Sequence, residues 1–405
     1  MDICVVAGRS ETTTITPTKS NSSVRTFLVL FLLLTCHSLL FSQWITDPDF
    51  NTHAQKGIES VYNLEFEKAD SEFTYLTQQY PSHPAGKFFL AMVDWWKILM
   101  DIDDESRDEV FVKKLDDVIE LCDSLLAVNE NDVSALFFKG GSLGFRGRLR
   151  ANRNSWIKAA NDGRLALPIV QHAYKIAPTN DDILLGIGIY NYYAAIIPER
   201  YPIVKPLMVF FPNGDKKKGI EQLWEASRKA QFAAIEAEYF LLQLHFSYER
   251  QYDTSYTLAL SLLQRFPNNV IFHRYLGRSA YTVGRYEEAQ KVFTEIWLRC
   301  EKEQRGYSAN TKREALYYLG LCEMNNKHFD ESLKYLYQCD ELSRVLDKKE
   351  QSGFMTMTNL KIGMIYDAQM KREFAVKQYQ KVLDLKKFES SHELAQKYLK
   401  TPYTP

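Results

Sequence analysis

Residues 276–296 read LGRSAYTVGRYEEAQKVFTEI. Gly277, Ala289 and Phe293 stand twelve and four residues apart, on either side of the turn sequence Val283-Gly284-Arg285-Tyr286. Apolar positions on both sides follow the helical period, so the segment reads as two short helices joined by a tight turn. A glycine in the first helix and an alanine in the second mark a close crossing, because small residues let helix axes approach. The phenylalanine four residues after the alanine lies one turn along the same face. It is expected to plug the groove between neighbouring hairpins.

The spacing recurs. Gly320, Ser332 and Leu336 keep it, and so do Gly363, Ala375 and Tyr379, with successive glycines 43 residues apart. Near the N-terminus Gly57, Ala69 and Phe73 obey the same rule. Gln243, Ser255 and Ala259 hold the register with weaker residues. Pro81, Pro178 and Pro267 each sit where a second helix should stop. A unit of this size cannot bury its apolar face alone, so a recurring unit implies stacking into an array.

Segments 276–296, YYLGLCEMNNKHFDESLKYL (317–336) and LKIGMIYDAQMKREFAVKQYQKVL (360–383) resemble tetratricopeptide (TPR) units. The resemblance covers residues 50–82 and 236–387. It implies an all-α chain, a right-handed TPR-like α-solenoid of antiparallel helix pairs, with first helices lining a concave binding face. The residues beyond the usual repeat length belong to longer helices or to loops between hairpins. On this reading residues 1–42 are a signal peptide with an N-terminal extension and 43–235 hold TPR-like repeats with an irregular insert at 194–218. Residues 236–400 hold the C-terminal repeats, and 401–405 are a tail.

The middle of the chain departs from the pattern. Residues 86–128 predict a long helix with Trp95-Trp96, an acidic loop at 101–105 and a helix near 110–128. Between 134 and 157, Gly140, Gly144 and Gly147 form one stripe, and Arg146, Arg150 and Arg153 another at the same spacing. The glycine face invites a neighbouring helix. The arginine face suits a carboxylate-rich partner, since guanidinium binds carboxylates bidentately. In residues 181–227, Pro198, Pro202 and Pro206 are expected to interrupt a helix. Tyr190, Tyr192, Tyr193, Phe210 and Phe211 there are candidates to line a pocket. This GxGxYxYY…P…GDxxxG segment is similar to a family of exported bacterial TPR-like proteins and to the eukaryotic inclusion-body clearance proteins.

Residues 27–41, FLVLFLLLTCHSLLF, are uncharged and short for a membrane span, which needs about 20 apolar residues. They suit the apolar core of a secretory signal, with cleavage after Ser42 leaving Gln43 first. This places the protein in the periplasm or cell envelope. An uncleaved anchor and lipidation at Cys36 are the alternatives, and membrane association at the envelope goes with them.

The net charge is −1, without the basic excess of a nucleic-acid binder. Cys122, Cys300, Cys322 and Cys339 form no CxxC pair, which argues against zinc and dithiol chemistry. An exported protein could join two of them in a disulfide, but buried free thiols are expected. HExxH and the phosphate-loop lysine are missing, and Gly186 and Gly188 fall within a helical run rather than after a strand. Glu236, Glu238, His245 and Glu249 share one helical region, with nothing else converging to make them a metal site. The reading is therefore no enzyme, no cofactor and no metal. A scaffold for a protein or peptide partner comes first, with Arg146, Arg150, Arg153, Tyr190 and Tyr193 as contact residues. A binder of a small molecule or glycan, using an aromatic pocket near 190–211, is the alternative.

Overall fold

The computed structural model describes residues 47–200, 205–208, 212–348 and 351–405. The signal-peptide segment, Cys36, Phe210 and Phe211 lie outside the described residues. Residues 44–405 form one compact unit. The helices are α1 (Pro48–Tyr62), α2 (Phe66–Gln79), α3 (Ala85–Met100), α4 (Asp108–Val128), α5 (Val133–Asn152), α6 (Trp156–Ile176), α7 (Ile183–Arg200), α8 (Lys205–Met208) and α9 (Lys216–Lys229). They continue as α10 (Ala234–Ser247), α11 (Tyr252–Arg265), α12 (Val270–Thr282), α13 (Tyr286–Glu301), α14 (Ala309–Asn325), α15 (Phe329–Leu346), α16 (Gly353–Ala368), α17 (Arg372–Asp384) and α18 (Ser391–Lys400). No strand occurs among the described residues. The architecture is a TPR-like α-solenoid in which successive helices pack on one another, except that α9 packs on α7 across the short α8.

The hairpins form where the spacing predicts. A Cβ added to Gly57, Gly277, Gly320 or Gly363 would fall 2.2, 2.7, 2.6 or 2.6 Å from the side chain of Phe73, Phe293, Leu336 or Tyr379. The large residue thus covers the glycine of its own hairpin. Phe293 also stacks on Tyr318 of the next hairpin, with centroids 4.5 Å apart, so it fills the inter-hairpin groove as well. Ala69, Ala289 and Ala375 are fully buried at the crossing, and Ser332 there donates to the Gly320 carbonyl at 2.6 Å.

A second periodic feature escapes residue-type patterns. The residue seven after each register position has a left-handed backbone: Leu64, Arg250, Gly284, Lys327 and Met370. Asn154 has it too, seven after Gly147, and Ala159 is twelve after Gly147. So α5–α6 is a further register-keeping hairpin hidden in the glycine stripe. These residues end the first helix: the following N–H reaches the carbonyl five back, as in Arg285 to Ala280 (2.9 Å) and Ser155 to Arg150 (2.8 Å). That bond satisfies carbonyls the helix end would otherwise leave open.

Pro198 and Pro206 act less severely than expected, and Pro202 lies outside the described residues. Helix α7 runs through Pro198 to Arg200, and Pro206 sits in the first turn of α8, where no N–H is needed. Pro198 is so near the C-terminus of α7 that it disturbs only its last turns. Regular helix therefore occupies both ends of the 194–218 insert. Pro168 likewise lies inside α6.

The N-terminal hairpin docks far along the chain. Asn269 donates to the Tyr62 carbonyl at 2.7 Å, and Gln55 to the Gln231 carbonyl at 2.6 Å. Arg305 clasps Glu67 at 2.6 and 2.7 Å. Trp96 of α3 packs on Tyr239 of α10 and Phe272 of α12, with centroids 5.2 and 5.7 Å apart. Helices α4, α5, α7 and α9 join the same core through Phe111, Phe138, Tyr192 and Leu223.

Candidate functional site

Docking α1 and α3 against α10 and α12 walls off a concavity of about 720 Å³. Its walls come from α1 (Ile58, Val61, Tyr62), α3 (Phe88, Phe89, Trp96), α5 (Phe137, Gly144, Arg148), α6 (Ala160, Gly163), α7 (Gly186, Tyr190, Tyr193) and α10 (Glu236, Phe240, Gln243). The space exists because part of one wall lacks side chains. A Cβ on Gly144 would meet nothing within 4 Å, whereas one on Gly140 would fall 2.6 Å from Val170 of α6. The glycine stripe therefore has two jobs: Gly140 and Gly147 admit α6, and Gly144 leaves room in the chamber.

A polar cluster centred on Arg148 interrupts the mainly apolar lining. The Arg148 guanidinium donates to Glu236 Oε1 at 3.3 Å and to Gln243 Oε1 at 2.8 Å. Tyr62 donates its hydroxyl to Glu236 Oε2 at 2.7 Å, and Gln243 Nε2 donates to the Tyr239 oxygen at 2.8 Å. The rings of Phe240 and Trp95 lie 4.4 and 5.0 Å from the guanidinium carbon, positions that favour a cation over an aromatic face. Burial pushes the Glu236 carboxyl above its ordinary value, while Arg148 and Tyr62 pull the other way.

The predicted arginines lie elsewhere. Arg146 bonds Asp162 at 2.7 and 3.2 Å and also pairs with Asp116, and Arg150 reaches the other Asp162 oxygen at 2.6 Å. Arg153 grips Asp108 at 2.6 and 2.9 Å and the Ile102 carbonyl at 2.5 Å. The stripe expected to face an acidic partner is thus neutralised by the chain's own carboxylates along α4 to α6, and Asp162 is fully buried. The arginine that enters the chamber is Arg148. It shares a helix face with Gly144, four residues before it, and that was the available signal.

Tyr190 and Tyr193 do line the chamber. Tyr190 donates to the Pro212 carbonyl at 2.5 Å, and Tyr193 meets Tyr192 and Tyr248 edge-on at 5.4 and 5.8 Å. Tyr192 is fully buried and donates to Glu249 at 2.6 Å. The candidate metal residues separate: Glu236 faces Arg148, Glu238 pairs with Arg265 and Glu249 with Lys216. No metal-binding group of His, Cys, Asp and Glu occurs among the described residues. Cys122, Cys300, Cys322 and Cys339 are free and buried, and burial pushes Cys122 and Cys322 up to about 12 and Cys300 and Cys339 to about 11. Thiols held so far from ionisation are unreactive. Among the described residues no helix is long and apolar enough to cross a membrane.

A family model for Iml2/Tetratricopeptide repeat protein 39 matches residues 180–394, more than half of the chain. The chain belongs to the Iml2/Tetratricopeptide repeat protein 39 family. The match takes in α7 to α17, so it includes Glu236, Phe240 and Gln243, while Arg148 and Gly144 precede it. Iml2/Tetratricopeptide repeat protein 39 membership bears out the TPR resemblance and the fainter one to inclusion-body clearance proteins. No curated protein matches the chain. Among solved structures, a human IFIT1 dimer with PPP-AAAA is 12% identical, with a TM-score of 0.39 over 88% of this chain and 86% of that one. Yeast Tom70 is 11% identical, with a TM-score of 0.34 over 84% and 86%. A tetratricopeptide repeat protein from Parabacteroides merdae is 12% identical, with a TM-score of 0.31 over 77% and 99%.

Proposed function

We propose that this protein is a non-enzymatic binding protein, a TPR scaffold that carries an apolar small molecule in its chamber and meets protein partners through its outer repeats. The observation that carries this reading is the chamber itself. A space of about 720 Å³ walled mainly by aromatic and aliphatic side chains, with a few convergent polar groups, has the size and character of a small-molecule site. A peptide in a groove, or a glycan, would require polar partners along its whole length, and here polar side chains cluster at Arg148. The binding alternative of the sequence reading is therefore favoured over an open peptide groove.

The test uses the full chain and Nile red, an uncharged dye that brightens in apolar surroundings. Wild type should bind it saturably. Gly144→Leu projects a side chain into the chamber from a position where a Cβ meets nothing within 4 Å, so binding should fall at least tenfold while the melting midpoint holds or rises, leucine being the better helix former. Unsaturable binding, or unchanged binding in Gly144→Leu, would sink the reading.

We also propose export to the periplasm or cell envelope, on the apolar run 27–41. N-terminal sequencing of protein from its native host should begin near Gln43, and an intact residue 1–42 segment would refute cleavage.

A further inference from the structure

We propose that the chamber's ligand is an uncharged apolar molecule with one hydrogen-bond-accepting oxygen, seated on Arg148. The inference rests on the chamber reading above.

Guanidinium offers five N–H donors and no acceptor. Arg148 spends two on protein oxygens, those of Glu236 and Gln243. Its side chain is 20% exposed, in the wall of the chamber. The remaining donors sit in apolar surroundings, where a donor without a partner is costly. The bound molecule should therefore present an acceptor.

Its charge follows from the same group. Glu236 already compensates Arg148 across 3.3 Å, so the pair is neutral. A ligand carboxylate would bring a second negative charge beside a buried one, with a single guanidinium between them. Like charges in a water-poor site oppose each other strongly. A hydroxyl or carbonyl oxygen carries no such penalty, and a hydroxyl can also donate to a free lone pair of Glu236. Phe240 and Trp95 hold the guanidinium plane, so the oxygen meets a fixed donor rather than a mobile one. Beyond that oxygen the lining is apolar: Phe88, Phe89, Trp96 and Phe137 receive the rest of the molecule.

The test is displacement of Nile red from the full chain by dodecanol, dodecane and dodecanoate, in wild type and in Arg148→Met. Dodecanol should bind wild type more tightly than dodecanoate. It should lose about tenfold in Arg148→Met, the worth of one hydrogen bond to a charged group, while dodecane loses nothing. Arg148→Lys keeps the charge opposite Glu236 and serves if the methionine variant does not fold; dodecanol should again lose affinity selectively. Tighter binding of dodecanoate than of dodecanol would overturn the inference, and so would equal effects of the variant on dodecanol and dodecane. Either result leaves the chamber reading intact. If Nile red binds wild type and none of the three displaces it, the inference fails while the dye site stands; if the dye does not bind at all, both fail.

Discussion

The ring of Phe293 lies across the backbone of Gly277, so close that a Cβ on the glycine would fall 2.7 Å from Cζ. Phe293 cannot yield, because it is fully buried and its far face is stacked on Tyr318. Gly277→Leu should therefore destabilise by about 1–3 kcal/mol through overpacking, although leucine is the better helix former. Adding Phe293→Ala should recover part of the loss, giving a coupling energy of about 1 kcal/mol in a double-mutant cycle followed by urea denaturation. Strict additivity would show that the two residues do not meet.

The hairpin turns make a paired prediction. Met370 is 91% exposed with φ 59°, while Gly284 holds the equivalent position with φ 82° and nothing within 4 Å of its Cβ direction. A side chain in this conformation costs about 1–2 kcal/mol. Met370→Gly should raise the melting midpoint and Gly284→Met should lower it, by about 1 kcal/mol each once glycine's greater freedom in the unfolded chain is set against the strain. Shifts of the same sign would refute the equivalence of the two turns.

Glu314 should set an acid limit. Burial pushes its carboxyl up, but Arg274, at 2.6 and 2.9 Å, and Arg278 outweigh that and hold it at about 2, below its ordinary 4.5. Because the folded value is the lower one, this stabilisation is complete above about pH 4.5 and is lost as the pH falls toward 2. Glu314→Gln leaves two guanidiniums unpaired and should cost about 3–5 kcal/mol at neutral pH. Urea midpoints measured against pH should show a weaker acid dependence in the variant across that window.

Arg146, Arg150 and Arg153 offer a test of structural against binding roles. Replacing all three with Gln would strip buried Asp162 of its ion-pair partners, and breaking such a pair costs about 3–5 kcal/mol. The melting midpoint should fall, and Asp162→Asn in the same background should restore part of it. A triple variant as stable as wild type would return these arginines to the surface.

The hairpins were legible because their determinants are local. Gly277, Ala289 and Phe293 lie within seventeen residues, and the crossing they encode depends only on helix geometry. Gly57, Gly320 and Gly363 could be read in the same way, and Pro81, Pro178 and Pro267 correctly marked helix ends. Gly147 with Ala159 kept the same spacing but was absorbed into a glycine stripe, since composition cannot tell a glycine that admits a helix from one that leaves a void. Pro198 does not interrupt α7, because it stands two residues from the helix end and the one helix bond it removes belongs to the last turns.

The site was decided by contacts that no local pattern encodes. Tyr62 meets Glu236 across 174 positions, and Arg148 meets Gln243 across 95. Arg146, Arg148 and Arg150 are alike in sequence, yet at 100° per residue the middle one points to the opposite side of α5 from its neighbours. Which side faces carboxylates and which faces a chamber follows from where α1 and α3 dock on α10 and α12. Sequence periodicity therefore determined the repeating hairpin, whose energetics are short-range. The chamber, its single cation and the pairing of that cation arise only when distant helices close on one another, so tertiary packing alone decided them.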